Sequence, residues 1–386
     1  MTVRAMLDPA ILPAYGSSAV RITRRALRGH RRHPGDARAI AMACVESAWA
    51  GDHFVASGGH FRQFWTRDLG FSAEPLVRIG FGERVHRSLA WALDAWASAG
   101  RVTTTIFSGR RPRDVYTLGV DSLPLLLHAL QACDGDDLVA RHRGWLEVEA
   151  RRYARLVLDP GTGRVRTDRR YSSHRDTVVT NDNAYANAMV LTLDRVLRET
   201  GWFPSPIPDG ATGRFLEAFW RDDHVVDRPD SVEVSGDGTI FPFWLGVVPD
   251  GLGLGSALAA ARGAGLADPL PLRYVARRAA RAEDPVQRLF VPDYQGTAIW
   301  SSLGAIYLQL LDRVDPAAVD APLRGWTEHV ERAGTVWEVV RDDGRPYVGR
   351  LGIFRADEAM LWSAILADLL ERRAARSVAA RSGAGD

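Results

Sequence analysis

Five stretches bring carboxylates, guanidiniums, amides and aromatic faces close enough together to do chemistry. In "FWTRDLGF", Trp65, Arg67 and Asp68 fall within one turn of chain at the start of an apolar-periodic segment. Arg67 donates and Asp68 accepts, so the pair can grip vicinal hydroxyls while Trp65 offers a flat stacking face. The same residues also read as a capping Asp with a local ion pair. In "HRDTVVTNDNAYANAMV", the groups of His174, Asp176, Asn181, Asp182, Asn183 and Asn187 crowd a helix start. A polyhydroxyl ligand would use them, and so would Asx-turns and caps. In "DYQGTAIWSSLG", Tyr294, Gln295 and Trp300 flank Gly296, a residue that permits close backbone approach. An ordinary turn with a core Trp is the competing reading there.

Two further stretches supply acid–base candidates. In "GVDSLPLLLHAL", Asp121 stands at the doorstep of an apolar helix with Pro124 in its first turn. Capping accounts for an Asp here, at about 1 kcal/mol, and a general acid with its pKa raised by an apolar pocket is the alternative. In "TVWEVVRDDGRPYVGRLGIF", Glu338 follows Trp337 and precedes two valines. A carboxylate in an apolar run points to function, unless Arg341, Arg345 or Arg350 pairs with it. Asp237, in "SGDGTIFPFWLGVV", reads as a turn residue before an aromatic run.

Other chemistries are disfavoured. The chain has no Lys, which removes Schiff-base chemistry and a Walker-type phosphate loop. There is no Gly-x-Ser-x-Gly, no His-Glu-x-x-His and no Gly-x-Gly-x-x-Gly after a strand. The paired Asp of "RDDHVVDRPD" and "CDGDD" lack the facing partner motif of a magnesium–diphosphate site. Cys44 and Cys133 have no zinc-ligand spacing, so neither metal nor organic cofactor is expected. The net charge of +2 and the helical spacing of the Arg clusters suit solvated helix faces rather than nucleic acid. No run reaches the roughly 18 apolar residues of a membrane helix, and the start of the chain lacks a signal-peptide h-region. A cytoplasmic location is expected, with monomer and homo-oligomer both open. Twelve Trp suit sugar binding and core packing equally.

The elements that must position these residues are mostly helical. About a dozen segments show apolar residues at i, i+3, i+4 and i+7, separated by Gly, Pro or Asp turns. Strand signals are short: "GRVTTTIFSG", "SVEVSG" and a hairpin in "RPYVGRLGIF". "LRYVARRAAR" also reads as a helix. No linker divides the chain and no solenoid period recurs. The expectation is an all-α (α/α)6 toroid, six inner and six outer helices, with short β-hairpins in the loops at the active-site end. Residues 1–375 would form one domain and residues 376–386 a disordered tail.

Taken in order, these motifs resemble the inverting six-hairpin glycosidases, most closely the neutral/alkaline invertases of glycoside hydrolase family 100. The glucosylglycerate and mannosylglycerate hydrolases of family 63 are related. The likeness runs from about residue 54 to about 372. It rests on Trp65-Thr66-Arg67-Asp68, on Val120-Asp121-Ser122 with its helix ending at Gly135-Asp136, loosely on Gly296 to Trp300, and on Trp337-Glu338 leading to Tyr347. The chain departs from the family pattern at Val339 and Val340, where the family has aromatics. The resemblance implies hydrolysis of a small α-linked glycoside with inversion, Asp121 as general acid and Glu338 as general base, roughly 6.5–9.5 Å apart. Trp65, Arg67, Asp68, Asn183, Asn187, Tyr294, Gln295, Trp300 and Trp337 would bind the sugar. The alternatives are a non-catalytic carbohydrate-binding toroid, an epimerase or lyase on the same fold, and an isoprenoid-type lyase.

Overall fold

A computed structural model describes residues 12–176, 181–277, 285–352 and 354–382. In chain order its helices are α1 (Leu12–Arg28), α2 (Ala37–Ser47), α3 (Thr66–Leu76), α4 (Gly82–Ala99), α5 (Ser122–Ala132), α6 (Asp136–Val157) and α7 (Ala184–Thr200). They continue as α8 (Ala211–Phe219), α9 (Gly236–Trp244), α10 (Leu254–Gly263), the short α11 (Pro285–Phe290), α12 (Ser301–Val314), α13 (Asp320–Ala333) and α14 (Ser363–Ser382).

Contacts between elements close a ring. α3 packs on α5, α5 on α7, α7 on α9, α9 on α12, α12 on α14, and α14 returns to α3. These six are the inner helices, and α2, α4, α6, α8, α10 and α13 stand outside them. The expected toroid of six hairpins is the observed architecture.

The residue patterns explain who stands where. α5 is apolar around nearly its whole circumference, from Leu123 to Leu130, so only a position walled on every side buries it. α6 instead buries one stripe, including Leu138, Leu146, Ala150, Tyr153 and Val157, and turns Arg141, Arg143, Arg151 and Arg155 outward. The inner helices sit close: a Cβ on Gly70 of α3 would lie 2.5 Å from the Leu125 Cβ of α5.

Short strands decorate one end. β1 (Phe64–Trp65), β2 (Thr105–Phe107) and β3 (Arg111–Arg113) form an antiparallel sheet, with Trp65 opposite Thr105 and Phe64 opposite Ile106. β4 (Trp220–Arg221) pairs with β5 (His224–Val225), and β6 (Ile299–Trp300) pairs with β7 (Val339–Val340).

Four local expectations are corrected. "SVEVSG" forms no strand. "LRYVARRAAR" is not helical where described, because Arg273 bridges Ile299 and the Tyr274 carbonyl accepts from Gly236 N–H; its remainder lies outside the described residues. Asp237 is no turn residue but sits in the first turn of inner helix α9, capped by Ser235. α14 runs through Ser382, since an Ala- and Arg-rich segment has good helix propensity. Helix thus takes up residues 376–382 of the expected tail, and 383–386 lie outside the described residues.

Candidate active site

A cavity of about 570 Å³ lies at the starts of the inner helices, lined among others by Trp65, Arg67, Asp68, Asp176, Trp300 and Glu338. Strand register builds its two sides. Period-two alternation sends Phe64 and Ile106 into the main core and turns Trp65 and Phe107 to the opposite face. There, with Val115 and Tyr116, they form a small apolar cluster apart from the core. On the other side, β6–β7 pairing sets Trp300 opposite Val339, and the adjoining Ser301 N–H donates to the Glu338 carbonyl at 3.2 Å. Glu338 thereby comes to the start of α12.

Glu338 is 4% exposed. Its Oε1 accepts from the Tyr294 hydroxyl, and its Oε2 accepts from the Asp357 N–H at 2.9 Å. Burial pushes its pKa up to about 8, the Tyr294 hydrogen bond opposes this, and the charges of Asp357 and Asp68 add to the rise. Asp68, in the first turn of α3, is likewise pushed up to about 7 by burial, against the pull of Arg67.

Arg67 stands between two other carboxylates. Its Nε donates to Asp121 Oδ2 at 2.7 Å and its Nη1 to Asp176 Oδ2 at 3.2 Å. Asp121 also accepts from the Tyr185 hydroxyl at 2.8 Å, is 0% exposed, and lies behind Arg67 rather than on the cavity wall. Its side chain makes no capping hydrogen bond to α5, so the capping reading is corrected too. Asp176, by contrast, lines the cavity, and its other oxygen accepts from the Ser172 hydroxyl and the Ser173 N–H. Burial raises its pKa, and Arg67 opposes the rise. Next to it, His174 is kept neutral by burial and by the charges of Arg67 and Arg175. The Tyr274 hydroxyl meets its Nδ1.

No family model matches the chain, and no curated protein matches it. Solved structures do match. A glycosidase variant in complex with glucose aligns at 18% identity over 86% of this chain and 94% of its own, with a TM-score of 0.62. A rhamnosidase from Klebsiella oxytoca with rhamnose bound aligns at 14% over 89% of this chain and 66% of its own, with a TM-score of 0.61. A GH63 mannosylglycerate hydrolase from Thermus thermophilus, in complex with Tris and D-glycerate, aligns at 16% over 87% and 100%, with a TM-score of 0.55. The chain has the six-hairpin glycosidase fold.

Within this toroid, the expected site residues divide. Trp65, Arg67, Asp68, Tyr294, Gln295, Trp300 and Glu338 share the cavity. Trp337 does not. Its ring lies 4.7 Å from that of His30, beside a separate cavity. Asn183 caps α7 by accepting from the Ala186 N–H at 2.8 Å. Asn187 donates to Asp182 at 2.8 Å and accepts from the Val165 N–H at 3.1 Å. Both amides thus serve the fold, as the Asx-turn and cap reading has it. Asp237 pairs with Arg175 at 2.9 Å. Tyr116, Phe354 and Trp362 enter the wall from loops and Phe107 from β2, and no local pattern marks any of them as cavity residues.

Proposed function

We propose that this chain is a glycoside hydrolase that cleaves a small α-linked glycoside with inversion, using Glu338 as general base and Asp176 as general acid. The observation that carries it is the cavity itself: three buried carboxyls with raised pKa values, at inner-helix starts, beside the stacking faces of Trp65 and Trp300. The glycosidases of the same fold support the reading.

Glu338 suits the base. Both its oxygens accept hydrogen bonds, an arrangement made for the carboxylate form, and its raised pKa makes that carboxylate a stronger proton acceptor than an ordinary Glu. Asp176 replaces Asp121 as the acid because a group must reach the glycosidic oxygen, and Asp121 is sealed behind Arg67. Asp121 instead takes the nearer share of the Arg67 charge, which helps Asp176 to keep its proton. Asp68 accepts sugar hydroxyls, and Trp65 and Trp300 flank the ring. Tyr294 orients Glu338 through its hydroxyl.

The test is leaving-group rescue across a panel of sucrose, trehalose, glycosylglycerates, maltooligosaccharides and simple α-glycosides. Asp176→Asn should lower O-glycoside hydrolysis by about 10²–10⁴-fold and recover on a glycosyl fluoride, whose departure needs no proton. Glu338→Gln should be dead on both substrates. Rescue of Glu338→Gln but not of Asp176→Asn would exchange the two roles, and rescue of Asp68→Asn alone would move the acid to Asp68. Proton NMR should show a first-formed product of inverted anomeric configuration. A retained anomer would sink the inverting mechanism, and no hydrolysis of any member would sink the enzyme reading in favour of a binding toroid.

A further inference from the structure

The cavity is chemically two-sided, and its second side has no use in the reaction proposed above. Arg67, Asp68, Asp176, Trp300 and Glu338 gather at the inner-helix starts, where a single sugar ring engages them. The remaining wall is mainly apolar and comes from four separate segments. The sheet and the loop that follows it contribute Phe107, Val115 and Tyr116; the loop after α11 contributes Val291, the segment between β7 and α14 contributes Phe354, and helix α1 contributes Ala19 and Ile22. Tyr116 is held there on a backbone with φ of 74°, a left-handed conformation that disfavours a non-glycine residue and that the surrounding packing sustains. The Phe354 ring meets the Tyr294 ring edge-on at 4.7 Å, which fixes the second wall against the residue that holds Glu338.

The polar groups on this side are already engaged. Ser18 donates to the His60 carbonyl at 3.3 Å, Thr23 donates to the Ala19 carbonyl at 2.9 Å, and the His60 ring lies 2.7 Å from Asp357. Gln63 differs: its Oε1 is buried with no hydrogen-bond partner. The cationic or titratable nitrogen groups on the cavity wall, among the described residues, are Arg67, His60 and His174. Arg67 is shared by Asp121 and Asp176, His60 is held by Asp357, and burial keeps His174 neutral. A carboxylate or phosphate on the leaving group would therefore be desolvated with, among the described residues of the wall, no cation beyond the already paired Arg67 to meet it. A second sugar would bury several hydroxyls against Phe107, Val115, Ile22 and Phe354 with few partners.

Building on the hydrolase reading, we infer that the leaving group of the substrate is an uncharged apolar alcohol, aromatic or alkyl, that lies between the β1–β3 sheet and α1. A cavity of about 570 Å³ holds one pyranose together with such a group, within the roughly 300–1,000 Å³ of small-molecule sites. The buried Gln63 oxygen accepts from a single hydroxyl on it.

The experiment compares leaving groups of equal chemical reactivity, so that only binding differs. Purified full-length protein is assayed on the methyl and octyl α-glycosides of glucose, mannose and rhamnose, with glucosylglycerate and maltose alongside. For whichever sugar is cleaved, kcat/KM should be at least about 100-fold higher for the octyl than for the methyl glycoside, because burial of several methylenes accumulates. Glucosylglycerate and maltose should fall at or below the methyl glycoside. Ile22→Asp and Phe107→Ala should each cut the octyl-to-methyl ratio by about tenfold or more. A ratio near one, or preferred cleavage of glucosylglycerate or maltose, overturns the apolar leaving group and leaves the hydrolase reading standing. No cleavage of any member overturns both.

Discussion

Glu338 and Asp357 are two buried acidic residues joined by a hydrogen bond, and their pKa values are shifted in opposite directions. Asp357 donates its N–H to Glu338 Oε2 at 2.9 Å, yet burial lifts Glu338 to about 8 while Asp357 is held well below the usual carboxylate range. The difference is the company each keeps. Asp357 is 3.1 Å from Arg25 and 2.7 Å from the His60 ring, and it accepts from the Ser57 hydroxyl and from the N–H groups of His60 and Phe61. Glu338 receives two hydrogen bonds and, among the described residues, forms no ion pair. Equal burial thus gives a charged anchor where a counter-charge is supplied and a carboxyl of raised pKa where it is withheld. The anchor is tight enough that a Cβ on Gly59 would lie 2.0 Å from Asp357 Oδ1.

The sharpest way to break this comparison is to remove the proposed base. Glu338→Gln should reduce hydrolysis by about 10³-fold or more while making the fold more stable at alkaline pH. The sign follows from linkage. A carboxyl whose pKa is raised on folding binds its proton more tightly in the native state. Its stabilising contribution is full below the unfolded pKa of about 4.3 and is lost as pH rises through about 8. At pH 9 the neutral amide avoids that cost, by something on the order of 2 kcal/mol, or a thermal midpoint about 2–3 °C higher by calorimetry. A midpoint that falls at pH 9 would mean that Glu338 is not a strained group.

Removing the anchor should do the reverse. Asp357→Asn leaves Arg25 and His60 facing an uncharged amide, a change that in buried pairs costs about 3–5 kcal/mol. The loss should appear in denaturant midpoints, and activity should fall with it as the loop at residues 57–61 loosens. For the wild-type anchor, whose pKa is depressed, stability is present above the unfolded pKa of about 3.9 and fades only as pH falls further. The Asp357→Asn protein should therefore lose its deficit relative to wild type in strong acid. A constant deficit at every pH would show that packing, not charge, is what Asp357 supplies.

A third measurement reads Glu338 alone. In Asp176→Asn on a glycosyl fluoride, protonation of the leaving group is bypassed, so kcat/KM follows the base. It should rise with pH through about 8, where Glu338 ionises. A limb near the ordinary carboxylate range of about 4–5 would mean that the cavity is far wetter than its lining residues indicate.

How much of this was legible in the chain depended on whether one local pattern carried the information. The toroid was legible because about a dozen amphipathic or wholly apolar helical segments each declare their own burial. Arg67-Asp68 and Glu338 were legible because a charge in an apolar run is conspicuous. Asp176 was not singled out, since its neighbours Asp182, Asn183 and Asn187 offer equally polar groups and only the tertiary structure tells cavity from cap. Trp337 adjoins Glu338 in the chain, yet the two line different cavities, which adjacency alone does not reveal. Phe107 lies in the expected strand "GRVTTTIFSG" but nothing local marks its face as the cavity's, and Tyr116 and Phe354 arrive from loops.

Asp121 is the smallest effect and the most discriminating. It shares Arg67 with Asp176 but holds the nearer nitrogen, at 2.7 Å against 3.2 Å, and it never meets the cavity. Asp121→Asn keeps the shape and the hydrogen bond from Tyr185 while deleting the charge. Arg67 then turns its full field on Asp176, whose pKa falls, and the acid surrenders its proton at a lower pH. O-glycoside hydrolysis should drop about tenfold, with the alkaline limb of its pH profile moved toward acid, and glycosyl fluoride hydrolysis should drop less. Were Asp121 itself the proton donor, the loss on O-glycosides would reach about 10²–10⁴-fold, the limb would vanish rather than move, and the fluoride would restore turnover. The two outcomes differ by at least an order of magnitude, and they separate an acid from the counter-ion that keeps another acid protonated.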